Sequence, residues 1–319
     1  VPERVIDVWT KVRLHCPLAT AQLCRDWVNN AQAAIGSLRP WSNLRLFGQI
    51  TTNDAKTGLV TVTRFSPFVQ GPGAPTPLFA ASDVGRQLRV GMVSPVYTII
   101  AVDLVSDIAT LDEPWGPASV TAAQSTILDA YVTMPREFNR FLGVVDPVNN
   151  WQLHWYITEA QLNRWDSQRT STTTPWALVS RGYSQLEATR GQAQYELWPY
   201  TTVASYYPYV AIRQPKVLGD LDELEGPLQY RPDILELLCL VEAARWPGPS
   251  FDNRNVYFNL ANSAALKKEA EEELWILEQR DDEIFPTLKE SVSWQNLPWA
   301  PLDSRFMQNH DYGMGYSYF

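Results

Sequence analysis

Few residues in this chain have the types and spacing that chemistry requires. His15, Cys16 and Cys24 stand closest to a metal-ligand set, around the start of a helical pattern, but they lack a fourth group and the usual zinc spacing. The alternative is ordinary packing. With Cys239 they make an odd number of cysteines, each in a segment of helical character, which fits buried thiols in a reducing compartment better than a disulfide framework. Carboxylates cluster at Asp112-Glu113, Asp220 to Glu225, Glu271 to Glu273 and Asp281 to Glu283. A glycosidase would need two of them converging from different elements, one with a raised pKa. Acidic runs on helices read more simply as solvated faces. The chain has 3 histidines, no HExxH, no Cys-x-x-Cys and no Gly-x-Ser-x-Gly. Gly71-Pro72-Gly73 has neither the lysine nor the following helix of a phosphate loop. The residues therefore point away from an enzyme, and no cofactor or metal is expected.

Composition narrows the partners. A net charge of -9 argues against a surface that grips nucleic acid, which needs clustered Lys and Arg, but is compatible with DNA sliding past. No apolar stretch reaches the roughly 18 residues of a membrane span. Val1 to Thr10 carries Glu3, Arg4 and Asp7 and does not resemble a signal peptide, and no Asn-x-Ser/Thr sequon occurs. With 13 Trp, 14 Tyr and 11 Phe, the chain is rich in residues favoured both at protein interfaces and in sugar-binding sites.

The elements that would position these residues follow from periodicity. From Leu18 to Trp41 the apolar residues Ala21, Cys24, Trp27, Val28, Ala31, Ile35 and Leu38 form a helical stripe, with Pro17 before it and Pro40 at its end. Residues 46–131 change to short strands, Leu59 to Thr63, Val96 to Val102, Ile108 to Leu111 and Thr126 to Tyr131, with loops at Thr52 to Gly58 and Asp103 to Asp107 reading as hairpins. This predicts an inserted antiparallel barrel or sandwich. Residues 132–286 read as short helices at Arg136 to Leu142 and Glu159 to Trp165, an exposed loop at Asp166 to Thr174, and a second small sheet from Trp176 to Val179, Ala193 to Trp198 and Tyr207 to Arg213. Trp151, Trp155, Trp165 and Trp176 would pack that sheet. A helical hairpin follows, capped at Asp233 and stopped by Trp246-Pro247-Gly248-Pro249, then running from about Asn255 to Arg280 with Tyr257, Leu260, Ala261, Ala264, Leu274 and Leu277 buried. The expected fold is α+β: a helical bundle made from both ends of the chain (1–45 and the hairpin), the inserted β domain, the small sheet, and an extended C-terminal arm, 287–319.

The arm has no periodicity. It carries Trp294, Trp299, Phe306, Tyr312, Tyr316, Tyr318 and Phe319 among polar residues, with only Lys289, Glu290, Asp303, Arg305 and Asp311 charged. That is not the composition of a self-repelling disordered tail. It reads either as a strap on its own subunit or as an arm docked on a neighbour. Fully extended, it could reach about 110 Å.

Several segments in order resemble the head-to-tail adaptor (connector) proteins of tailed bacteriophages: Leu23-Cys24-Arg25-Asp26-Trp27-Val28-Asn29-Asn30-Ala31 with Trp41, then Thr133-Met134-Pro135-Arg136-Glu137-Phe138, Tyr195-Glu196-Leu197-Trp198-Pro199-Tyr200, the extended Tyr209 to Pro215, and the hairpin 233–281. The β domain, with Ser82 to Leu88 and Tyr97-Thr98-Ile99, is similar to an elaboration found in some adaptors. The resemblance implies a virion neck protein, assembled in the host cytoplasm. It would form a homo-oligomeric ring of about twelve copies that binds the portal protein and a downstream tail or head-closure protein, with double-stranded DNA passing through the channel. It also implies that the arm's aromatic residues dock on the portal or a neighbouring subunit. The rival from another class is a carbohydrate- or receptor-binding module of a phage tail, which predicts aromatics displayed on an open groove of the β domain.

Overall fold

The computed structural model describes residues 3–91, 96–224, 231–250 and 252–284. Among them the chain is mixed α+β, with five α-helices, a closed six-stranded antiparallel barrel and two four-stranded sheets. None of these helices is long and apolar enough to cross a membrane.

Helix α1 (Val5–His15) was not anticipated from the sequence; it buries Val5, Val8 and Val12, a stripe too short to stand out from its charged neighbours. Helix α2 (Ala21–Leu38) is the expected stripe, shorter at both ends: Thr20 caps its start by accepting the Leu23 amide, and Arg39, before Pro40, is already extended. The chain closes with α4 (Pro232–Arg245) and α5 (Leu260–Ile284). Pro232 starts α4 in the first-turn position where its missing amide costs nothing. Asp233, expected as the cap, pairs instead with Arg231. Helix α5 begins at Leu260, later than expected. Asn255 is buried in the connecting loop, donating to the Ala243 and Trp246 carbonyls, while Asn259 Oδ1 receives the Ala261 and Asn262 amides. Its buried stripe is Ser263, Ala270 and Leu277, flanked by Leu266 and Leu274; Leu260, Ala261 and Ala264 face outward, contrary to expectation. The antiparallel contact with α4, marked by Arg245 to Ser263 at one end and Arg231 to Glu273 at the other, sets that rotation. Residues of α1, α2, α4 and α5 share one apolar core that includes Trp27, Cys24, Ile35, Ile234, Cys239 and Leu277.

Between α2 and α4 in sequence lie all the described strands. The barrel comprises β2 (Lys56–Val62), β3 (Phe68–Gln70), β4 (Gln87–Val90), β5 (Tyr97–Asp103), β6 (Ile108–Leu111) and β7 (Val120–Leu128), ordered β2-β3-β6-β5-β4-β7 and closing on itself. Val60, Val62, Leu88, Ile99, Leu111, Trp115 and Ile127 fill it. The Asp103 to Asp107 hairpin is present between β5 and β6. The loop expected as a hairpin at Thr52 to Gly58 is instead a crossover, since β1 (Arg45–Thr52) pairs with β14 (Ser205–Arg213) in another sheet.

That sheet runs β1-β14-β9-β10, with β9 (Phe138–Asp146) and β10 (Trp151–Gln152). The other runs β11-β12-β13-β8, from β11 (His154–Ile157), β12 (Ala177–Tyr183), β13 (Ala193–Trp198) and β8 (Tyr131–Thr133). Tyr207 to Arg213 is thus in an inner strand of the first sheet and does not join β12 and β13, as periodicity had suggested. The helix expected at Arg136 to Leu142 is strand β9. Its register against β14 skips Asn139 and Leu142, two bulges that space the inward residues Phe138, Phe141 and Val144 by threes. A spacing of three imitates a helix. The apolar layer between the sheets includes Ile50, Met134, Phe138, Phe141, Leu178, Leu197, Tyr207 and Tyr209. Helix α3 (Glu159–Trp165) forms where expected, with Thr158 and Gln161 closing a capping box.

Candidate functional site

The aromatic residues expected to dock, Trp294, Trp299, Phe306, Tyr312, Tyr316, Tyr318 and Phe319, lie outside the described residues. The other sequence candidates fall within them. Cys16, Cys24 and Cys239 are free and buried. Burial pushes the Cys24 thiol up to about 11 and raises Cys16 and Cys239 as well. Cys16 Sγ lies 3.3 Å from Asn255 Oδ1, and the His15 ring packs on Tyr257 at 5.5 Å. Among the described residues no group of three or more His, Cys, Asp or Glu is arranged to hold a metal.

Several described members of the carboxylate clusters are engaged by nearby partners. Asp112 receives the Thr98 amide, Asp220 binds Arg25 and the Trp9 indole, Glu271 and Glu272 pair with Lys267 and Lys268, and Asp281 holds Ser42 and Arg39. The hydrogen bond from Arg25, ahead of burial, holds Asp220 below the ordinary carboxylate range.

Buried ion pairs lie where the barrel meets the two sheets. Asp83, fully buried, receives Lys56 Nζ at 2.8 Å, the Ala80 amide at 2.8 Å and Arg86 Nη1 at 3.2 Å. Arg86 also donates from Nε to Asp129 at 2.8 Å and from Nη2 to the Asp54 carbonyl at 2.9 Å, tying the barrel to the crossover that enters it. A second cluster surrounds Glu196 on β13, which accepts from Arg169 at 2.6 Å and Tyr200 at 2.9 Å. Arg89 of β4 reaches across to the Arg169 carbonyl at 2.6 Å. Burial raises the Tyr200 phenol, reinforced by the Glu196 charge, so it stays a donor. The Asp166 to Thr174 loop is exposed at Ser167, Gln168, Thr170, Thr172 and Thr173, as expected, and is pinned from within: Asp166 accepts the Thr170 and Ser171 amides and the Trp198 indole. These buried charges are paired, and the pairs tie the barrel to the elements around it.

Surfaces remain. A cleft of about 1110 Å³ opens between the barrel, β1, β8 and the loop 185–192 joining β12 to β13. Its floor is Ile50, Met134 and Tyr209; Arg86 and Asp129 line its barrel side. Trp165, Trp176, His154 and Tyr156 form a continuous run of ring contacts at 5.3 to 5.9 Å, with Trp165 and Tyr156 about half exposed. On α5, Leu260 and Trp275 point outward, 64% and 61% exposed.

No protein-family model matches the chain, and no curated protein is similar to it. The site must therefore be read from its own residues. Sequence reasoning missed the Glu196 cluster and the cleft. The one available signal was Glu196 itself, a charge inside the strand Tyr195-Glu196-Leu197-Trp198. The cleft left none, because it forms between strands distant in sequence.

Proposed function

We propose that the chain is a head-to-tail adaptor of a tailed bacteriophage, a structural virion protein of the neck. Its copies would assemble into a ring on the portal, extend the DNA channel and present the surface on which the tail or head-closure protein docks, acting by multivalent contact and not by catalysis. What carries this reading is the apolar core that α1 and α2 share with α4 and α5, with every described strand lying between α2 and α4 in sequence. That order, helices on either side of the β material in sequence, is the one on which the adaptor resemblance rests. The acidic balance is consistent with a channel that lets the duplex slide, since an excess of carboxylates does not trap phosphates. The outward Leu260 and Trp275 offer α5 as a lateral contact, and the arm 287–319, with Trp294 to Phe319, would bind the portal or an adjacent subunit.

Electron microscopy of phage particles carrying a tagged chain tests this directly. A ring of density between head and tail is the expected result. A chain absent from the neck of intact particles would overturn it.

A second reading, a carbohydrate-binding module, draws on the half-exposed Trp165 and Tyr156 joined through Trp176 and His154. Those rings lie on α3 and the second sheet, whereas the barrel's Trp115 is buried. Binding on a glycan array that Trp165→Ala abolishes would favour it over the adaptor.

A further inference from the structure

One end of the first sheet gathers arginines that are scattered in the sequence. The start of β1, the end of β14 and the start of β9 lie side by side there. Ile212 of β14 stands opposite Arg45 of β1 on one side and Arg140 of β9 on the other. Directly opposed residues of antiparallel strands point to the same face, so the two arginines flank Ile212, about 10 Å apart across the sheet. Arg213 follows on the other face, opposite Phe138. The pairing runs one step further, the Gln214 amide donating to the Glu137 carbonyl at 2.7 Å, and Arg136 comes directly before Glu137. Four arginines from three separate segments thus surround one end of the sheet.

Little neutralises them. Glu137 is the one acidic residue in the segments 43–52, 134–142 and 209–216 that build this end. Asp281, which reaches the β1 side through Ser42, is occupied by Arg39. Asp222, past the end of β14, lies 3.9 Å from Lys216. Arg136 and Arg140 are exposed, and their side chains make no hydrogen bond or ion pair with any described residue. Arg45 and Arg213 beside them are half-buried, while Asn139 and Gln214 add exposed uncharged donors. In a chain of net charge -9, this is a local excess of positive charge.

The form of the patch decides its partner. A single exposed cation gains little from a single carboxylate, because water screens the pair. A DNA duplex differs: it carries one charge for every 1.7 Å or so of its axis, about as dense as a polyanion becomes, and releases condensed counterions to each cation that approaches. The planar fork of arginine binds phosphate oxygens in pairs, and side-chain amides such as those of Asn139 and Gln214 add backbone contacts that read no bases.

We propose that Arg136 and Arg140, with Arg45 and Arg213 beside them, bind the phosphodiester backbone of double-stranded DNA without regard to sequence. The contact is weak and salt-sensitive, of the kind along which a duplex slides. The proposal does not rest on the adaptor reading. If both hold, this end of the sheet faces the channel.

Fluorescence anisotropy tests it, with the full chain titrated to about 300 µM, above the usual range of non-specific dissociation constants, against a labelled mixed-sequence duplex of about 30 base pairs. Two to four phosphate contacts correspond to a fall in affinity of about 10- to 150-fold between about 50 and about 200 mM salt. Arg136→Ala with Arg140→Ala should weaken binding at least about tenfold at the lower salt, and reduce the slope of log affinity against log salt by about two. Arg164→Ala is the control: Arg164 is exposed on α3, beside the Trp198 end of β13, whereas the patch follows Met134 at the Ala193 end. It should change neither quantity. No binding at the lower salt, or an equal loss in Arg164→Ala, overturns the proposal. So does tighter binding of a labelled polyglutamate peptide, which would assign the patch to an acidic protein surface. Particles with the chain at the neck but no duplex binding would sink the patch and leave the adaptor reading intact; duplex binding without a neck ring does the reverse.

Discussion

Arg169 and Glu196 meet through a 2.6 Å hydrogen bond, the guanidinium Nε donating to a carboxylate oxygen that also receives the Tyr200 hydroxyl at 2.9 Å. Glu196 is 1% exposed. The pair joins the 166–174 loop to β13, and through the Arg169 carbonyl it holds Arg89 of the barrel. A buried pair adds little over a well-packed apolar substitute, but losing one partner strands the other.

Glu196→Ala should therefore cost about 3–5 kcal/mol, leaving the Arg169 charge and the Tyr200 hydroxyl unpaired in a buried site. Glu196→Gln, which keeps an acceptor for Tyr200, should cost less. Urea unfolding followed by tryptophan fluorescence reads both. A loss below about 1 kcal/mol for the alanine variant would show that the cluster is hydrated and not structural.

Acid should weaken the same region through Asp166. Burial works against its ionisation, but the Ser171 and Thr170 amides and the Trp198 indole outweigh burial and hold it at about 2. A folded pKa below the usual carboxylate value near 4 means that the stabilisation is complete above about pH 4 and fades as pH falls toward 2. Native stability should thus drop by about 2 kcal/mol over that window on this account. In Asp166→Asn the midpoint should be lower at pH 6, and the drop between pH 4 and 2 smaller. An identical acid profile in the variant would remove Asp166 from the explanation.

How far the sequence carried can be seen in single elements. Helix α2, the β5–β6 hairpin and the capping box at Thr158 were legible because local chemistry decides them: an apolar stripe, a turn, a cap. Strand β9 was misread because its two bulges give Phe138, Phe141 and Val144 a helical spacing, and a bulge is set by the partner strand. Helix α5 was found but rotated, since Ser263 and Ala270 are buried by the contact with α4 rather than by their own hydrophobicity. The cleft and the Glu196 cluster were invisible for a related reason. Both join residues far apart in sequence, and no periodicity encodes which sheet a strand will join.

The cysteines offer a check on the helical core. Cys24 is pushed up to about 11 by burial, and Cys16 and Cys239 are also raised, so at pH 8 the thiols are protonated as well as shielded. Ellman's reagent should label the native protein only at the rate of unfolding, and all three thiols at once in guanidinium. Fast labelling of one thiol in the native state would show that the α1–α2 region opens locally, and would reopen a reactive role for it.

Removing residues 285–319 separates the fold from its proposed use. The described apolar clusters draw on nothing beyond Leu277, and the last described tertiary anchor is Asp281 with Ser42 and Arg39. The truncated chain should keep its far-ultraviolet spectrum and lose at most about 2 °C of thermal midpoint, the equivalent of roughly 1 kcal/mol for a chain of this size. It should nevertheless fail to enter phage necks when it complements a particle lacking the full chain. Restoring the segment with Trp294, Trp299, Phe306, Tyr312, Tyr316, Tyr318 and Phe319 all changed to serine separates length from aromatic contact. Loss of incorporation with that variant assigns docking to the rings, whereas normal incorporation assigns it to the main chain or to length alone. A truncated chain that still builds the neck would show that the arm has no part in assembly.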